Sequence, residues 1–286
     1  MNRFKKKMHF KKKWRDLEDS INLQHKPDEY EFEDFEQCEN YFTTSESEAE
    51  NVNVNEKCRR GMSTRNFSVL SSFYGDILYK LLKKFSIKNA DLEESVNHIT
   101  RIYNSLKKGK LPEDIDYGEI TNCLGYLHKY APCHSALVCK CMVKVLISSS
   151  ACVLTNIFQK ASLDVVFLGS GPGNDFVGFM HALDEKCKIP SNINVTVVDK
   201  MSGWTEIFLE SVQELKSSKE VCKISEHINV IPSFMVHDLK QCIVHNEEMK
   251  MKMRNADIVF LVKVLSRIPH EYKLTVLKVK YYTDFK

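Results

Sequence analysis

Residues 163–175 read Leu-Asp-Val-Val-Phe-Leu-Gly-Ser-Gly-Pro-Gly-Asn-Asp. An apolar, β-branched run of strand length stops at Gly169, and Gly171 and Gly173 follow before a helix-like stretch. Glycine gives up more backbone freedom on ordering than any other residue. Three at alternate positions, in a chain holding only 10, mark a place where the backbone needs positive φ or where something must approach closer than a Cβ allows. Strand, glycine-rich turn and helix open a βαβ unit, so this segment commits the chain around it to a parallel α/β sheet.

The residues beyond it keep that alternation. Runs at 163–168, 194–199, 227–232 and 257–262 predict strands, and 173–186 and 203–217 predict helices. Upstream, residues 64–160 read as mostly helical. Phe67, Leu70, Phe73, Tyr74, Ile77, Leu78, Leu81 and Leu82 recur at helical spacing. Asp91-Leu92-Glu93-Glu94 starts a second helix, Lys107-Lys108-Gly109-Lys110 stops it, and Pro112 breaks the chain. A third covers 117–130, and Pro132 opens a fourth at a first-turn position where its missing N–H costs nothing.

Net charge is only +3, but it is unevenly placed. Residues 1–15 carry Arg3, Lys5, Lys6, Lys7, Lys11, Lys12, Lys13 and Arg15 with no acid, while 16–50 carry many acids and Lys26 alone against them. Opposite blocks of this kind read as solvated segments without a packed core. The expected organisation is a disordered charged tail over 1–62, a helical region or lid over 63–160, and a sheet core over 161–286. The basic head, with Phe4 and Trp14 interleaved, admits a nucleic-acid or other acidic partner, an import signal, or an anionic membrane surface. No apolar run reaches the roughly 18–20 residues of a membrane span. The lysine-rich start lacks a secretory h-region, so the 10 cysteines read as reduced thiols of an intracellular protein, in cytoplasm or nucleus.

The glycine loop fits two cofactor classes. A dinucleotide loop reads G-x-G-x-x-G with an acid about 20 residues on. Here the third glycine arrives one residue early, at Gly173, and Asn174 takes the dinucleotide position. The next strand, Asn194-Val195-Thr196-Val197-Val198-Asp199, ends in an acid. In either class, a carboxylate at that tip accepts hydrogen bonds from the two hydroxyls of a ribose.

The loop, Asp199, the acid Asp238 after a third strand, and the strand Ala256-Asp257-Ile258-Val259-Phe260-Leu261 together resemble the class I S-adenosylmethionine-dependent methyltransferase superfamily, over residues 160–270. The resemblance implies a Rossmann-like parallel sheet with helices on both faces, and S-adenosyl-L-methionine as cofactor. It further implies that Gly169, Ser170, Gly171 and Gly173 cradle the methionine and ribose parts. Asp199 would bind the ribose diol, Lys200 and Met201 pack beside the adenine, and Asp238 accept from the adenine amino group. Val262-Lys263-Val264 would border the methyl donor.

The chain departs from that pattern in three ways. Many members hold an acid two residues before the first glycine, where this chain has Phe167, and Asp164 lies an odd number of positions away, on the other strand face. No Asn-Pro-Pro-aromatic motif follows the fourth strand. The residues after it hold one helix-like segment from Pro269 and end at Lys286, so the expected sheet is truncated after strand four.

Other features admit sharper and plainer readings. Tyr117-Gly118-Glu119 resembles an element ahead of the cofactor loop in one family of histone lysine methyltransferases, and it also reads as a helix start. Tyr126, His128, Tyr130 and His134 line a lid or pack the core. Trp204 is an adenine-edge neighbour or core. Cys133, Cys139 and Cys141 lack the second ligand pair of a zinc site, and Cys133, Leu137 and Cys141 share a helical face as core residues.

The expected function is methyl transfer from S-adenosylmethionine to an unidentified acceptor, with activity weakened or lost if the sheet is incomplete. For a proton-bearing acceptor, His134, Glu119 and Lys263 are the candidate bases. The alternative is a non-catalytic binding or scaffold protein on the same half-fold. A nicotinamide-dependent reductase is disfavoured by Gly173 and Asn174.

Overall fold

Four parallel strands, in the order β3-β2-β1-β4, carry the centre of the protein. In chain order the elements are α1 (Asn55–Lys84), α2 (Asn89–Leu106), α3 (Ile120–Lys129), α4 (Ala131–Ile147), α5 (Ala151–Phe158), β1 (Ser162–Leu168), α6 (Asn174–Ala182), β2 (Asn192–Asp199), α7 (Trp204–Ser217), β3 (Asn229–Val236), α8 (Glu247–Asn255) and β4 (Ile258–Phe260). This computed structural model describes residues 55–106, 115–147, 151–183, 190–222, 224, 226–241 and 246–262. The basic head, residues 263–286 with Lys263 and Val264, and the expected truncation after strand four lie outside the described residues.

The fold is α/β with a Rossmann-like arrangement. β1 is central, pairing with β2 over its whole length and with β4 over Val165–Phe167. Buried on both sides, Val165, Val166, Phe167 and Leu168 form the continuous apolar run that a parallel strand covered on both faces requires. The period of two sends alternate residues to opposite layers. Phe167 meets Phe176 and Phe179 of α6 and stacks on Phe260 at 4.6 Å. Val166 and Leu168 turn the other way, into a cluster with Val198, Met235, Met249 and Met253 under α8. Helices thus cover both faces.

The position two residues before the first glycine, Phe167, is therefore a core aromatic one. Asp164 turns to a polar edge, where its carboxylate accepts from Asn194 Nδ2 at 2.9 Å and its amide donates to Asp257 Oδ2 at 2.9 Å.

The helices before β1 pack onto this sheet layer. α4 lies against α6 so closely that a Cβ on Gly178 would stand 2.5 Å from the Ser135 carbonyl oxygen. α1 is tied to α7 by a charge ladder. Lys80 pairs with Glu210 at 3.1 Å and Glu214 at 2.5 Å, and Lys84 pairs with Glu206. The four-residue spacing on each helix puts these groups on one facing stripe.

Element bounds differ from the sequence pattern in instructive places. β3 runs to Val236 rather than stopping at 232, because Pro232 sits in a strand at the sheet's edge, where the lost donor faces no partner. β4 is three residues long rather than six. α8 is an additional helix, capped by Asn246, whose side chain accepts from the Met249 amide at 3.0 Å. In α4 the buried side is Ser135, Ala136, Val138, Cys139 and Met142. Cys141 is exposed and Cys133 half-buried, so the face shared by Cys133 and Cys141 is not the core face.

Candidate functional site

The site is built where β1 and β2 end. Gly169, Gly171 and Gly173 have φ of 65°, 51° and 82°, the left-handed region that side chains resist. The turn closes through Gly169 N–H to Val198 O at 2.7 Å and Gly173 N–H to Ser170 O at 3.0 Å. Ser170 is buried, and its hydroxyl oxygen accepts the Asp175 amide at 3.3 Å in the first turn of α6. The absent side chains also make room. A Cβ on Gly171 would stand 3.4 Å from the Trp204 indole, and one on Gly173 would stand 2.6 Å from Phe208.

Asp199 closes the loop from the neighbouring strand. Its Oδ2 accepts the Gly171 amide at 3.1 Å and its Oδ1 accepts the Met201 amide at 3.1 Å. Burial pushes this carboxyl above its ordinary range, against the pull of those two backbone donors. Each carboxylate oxygen offers two lone-pair sites, and the Lys200 amide takes a third of the four, so acceptor capacity for one further donor remains. A hydroxyl, such as one of a ribose diol, is a donor of the kind that this carboxylate accepts.

The other expected site residues fall around this centre. Lys200 is exposed and Met201 partly buried, directly after Asp199. Asp238 follows the end of β3, next to His237, whose amide donates to Asp199 O at 2.9 Å. Its carboxylate accepts the Lys240 amide at 2.9 Å and so shapes the turn there. Val262, beyond β4, is partly buried.

An aromatic group from the helical layer covers the loop. Tyr117 lies 4.8 Å from Trp204 and Tyr126 lies 5.5 Å from it, ring centre to ring centre. Tyr103 stacks on Tyr130 at 4.6 Å, and both touch Tyr126. The backbone approach that brings Tyr117 here depends on Gly203, whose added Cβ would stand 2.4 Å from the Tyr117 carbonyl oxygen. The Cys123 thiol donates to the same carbonyl oxygen at 3.1 Å. Tyr117-Gly118-Glu119 therefore packs on the start of α7, just past Asp199. Glu119 itself is exposed at the start of α3. Trp204 is 3 % exposed, so it is both core and loop neighbour.

Behind this cover lies a buried polar cluster that the spacing of the sequence does not reveal. Asp175 is fully buried, and His134 Nε2 comes to 2.8 Å from its Oδ1. On the other side of the ring, His134 Nδ1 stands 3.5 Å from the Tyr126 hydroxyl. Ser135 donates to Asn174 O at 2.7 Å, which uses its one proton, so Tyr74 donates to Ser135 Oγ at 2.6 Å. Asp175 thus faces the helical layer rather than the loop's open side.

His128 is held neutral by burial, with Lys129 adding to the effect, and its imidazole is pushed down to about 4. Burial pushes the Cys139 thiol up to about 12, with the nearby Cys141 adding to the rise. Among the described residues, no three His, Cys, Asp or Glu side chains are grouped to hold a metal ion. Among them also, no single helix is long and apolar enough to cross a membrane.

No protein-family model matches this sequence, and no curated protein matches it.

Proposed function

We propose that the chain binds S-adenosylmethionine at the Gly169–Gly173 loop and serves methyl transfer to an acceptor. The observation that carries this reading is the Asp199 carboxylate, held against the Gly171 amide at 3.1 Å with acceptor capacity left over. A ribose hydroxyl satisfies that capacity, and the positive-φ loop brings its own backbone beside that carboxylate. In this reading Gly169, Ser170, Gly171 and Gly173 hold the donor's methionine and ribose parts, while Lys200, Met201 and Trp204 flank the base. Asp238 offers an acceptor nearby.

When bound, S-adenosylmethionine supplies a sulfonium-activated methyl group. The protein contributes binding and orientation, and such positioning is worth roughly 7–11 kcal/mol in favourable cases. Phe167, packed among Phe176, Phe179 and Phe260, leaves the donor's amino group without the strand acid that many relatives of the superfamily use.

The test is calorimetric titration of the full chain with S-adenosylhomocysteine, beside Asp199→Ala. Saturable binding that the substitution abolishes supports the reading. Absence of binding by the unsubstituted chain overturns it and favours a non-catalytic scaffold. Tighter binding of NADH than of S-adenosylhomocysteine would place the loop with the nicotinamide enzymes.

A further inference from the structure

We infer that the groove between the sheet and α8 is a second ligand site, one that takes the ammonium and carboxylate head of a small free amino acid. It runs beside Asp164–Val166 of β1 and Asn194–Thr196 of β2, below the strand tips that carry the glycine loop and Asp199. It stands independently of what that loop binds.

The groove holds about 210 Å³. Pockets for drug-sized ligands run to roughly 300–1,000 Å³, so this one suits a smaller molecule. Its floor is polar, although the same sheet face continues into the apolar cluster at Leu168 and Val198. Asp164 and Asn194 are register partners on adjacent strands, and Thr196 stands two residues beyond Asn194 on the same face. Thr196 is 3 % exposed and lines the groove, and its hydroxyl has no hydrogen-bond partner among the described residues. A hydroxyl at that depth is costly to leave unmatched, and an acceptor seated in the groove matches it.

The lining asks for both signs of charge. Asn194 spends its amide on Ser162 Oγ at 3.2 Å and on Asp164 Oδ1 at 2.9 Å, which leaves its own oxygen as an acceptor. With the Asp164 carboxylate beside it, this end of the floor accepts and calls for an ammonium. Thr196, about 6–7 Å further along the strand, can donate. On the wall made by α8, Lys252 is half-buried and makes no ion pair among the described residues. Glu248, one turn earlier, lines the same wall without pairing to it. A phosphate alone would meet Asp164 and Glu248 as like charges. An amine alone would leave Lys252 unmatched, and a neutral sugar would leave all three so. An amino acid carries both charges on one carbon, and Met251 on the same wall, 56 % exposed, gives its side chain an apolar contact.

The experiment is calorimetric titration of the full chain with L-alanine and L-leucine. Each is run beside the amine that lacks its carboxylate and the acid that lacks its ammonium. The expected result is saturable binding of an amino acid, weakened roughly tenfold or more in either analogue, as loss of a charged hydrogen bond requires. Lys252→Met and Thr196→Val should each weaken it likewise. Thr196→Val should also leave the urea midpoint unchanged or raised, because its hydroxyl has no protein partner to lose; weakened binding in that variant is then not misfolding. Absence of saturable binding by both amino acids overturns the inference. So does an amine or an acid that binds as tightly as its parent, or binding that Lys252→Met leaves intact. A lowered urea midpoint in Thr196→Val overturns it as well, since the hydroxyl would then serve the fold.

Discussion

The Gly171 amide donates to Asp199 Oδ2 at 3.1 Å, so the loop after β1 and the tip of β2 are one hydrogen-bonded piece. The consequence for binding is a pH dependence. Burial raises the Asp199 carboxyl above its ordinary value of 3.8. Hydroxyl donors need its ionised form, so affinity for S-adenosylhomocysteine is complete at neutral pH and falls as acid carries the solution through the raised value. Titration calorimetry across the acid range should show this loss in the wild type, and Asp199→Asn should bind weakly without it. For folding the sign is opposite. Protonation of Asp199 favours the native state, so its own contribution to stability is present below 3.8 and lost as pH rises through the raised value.

Gly173→Ala should be the more damaging of two loop substitutions. At φ 82° an alanine meets left-handed strain of about 1–2 kcal/mol. Its Cβ, 2.6 Å from Phe208 Cδ2, adds an overpacking cost of about 1–3 kcal/mol. Gly171→Ala meets the strain, but its Cβ stands at an ordinary 3.4 Å from Trp204. Urea denaturation of both variants should rank them in that order.

His128 should make the protein acid-sensitive. Its imidazole is held down at about 4 against an ordinary 6.5. As pH falls, the unfolded chain takes the proton first. The contribution of His128 is therefore complete above 6.5 and lost as pH drops toward about 4. At roughly 1.4 kcal/mol per pKa unit the loss is on the order of 3 kcal/mol. Denaturation midpoints measured at several pH values for the wild type and His128→Gln should converge as the solution is acidified.

Gly203→Ala should displace the aromatic cover without touching the glycine loop. Its Cβ would stand 2.4 Å from the Tyr117 carbonyl oxygen, and backbone at that distance has to move. Tyr117 then leaves Trp204, whose emission should shift to the red. The chain holds 2 tryptophans, so the comparison is cleanest with Trp14→Phe in both proteins.

The parts of the fold set by local pattern were open to sequence reading. Val165–Leu168 and Val195–Val198 announce buried strands, and the glycines announce the turn between β1 and α6. Pro232 hid the second half of β3, because a proline ends most strands and only edge placement, a tertiary fact, excuses it. α8 did have a signal: Asn246 as cap, Glu247 and Glu248 in the first turn, Lys252 and Arg254 in the last. The Tyr126–His134–Asp175 cluster had none. Its members come from three helices, and nothing in their spacing says that α4 lies across the start of α6. Asp199 was legible because a strand tip is a local address.

The contact between Gly178 and Ser135 bears on how the protein folds. Residue 160 looks like a seam in the sequence, yet the described residues on both sides of it, from Ser63 on, fall in one compact unit. A chain shortened to begin after that seam would lose the Ser135 backbone from beside Gly178, His134 from beside Asp175, and Tyr117 and Tyr126 from over Trp204. Unfolding should therefore be a single cooperative event, with circular dichroism and Trp204 fluorescence tracing the same transition. The helices would then be a co-folding half of the sheet's core rather than a lid added to a finished fold.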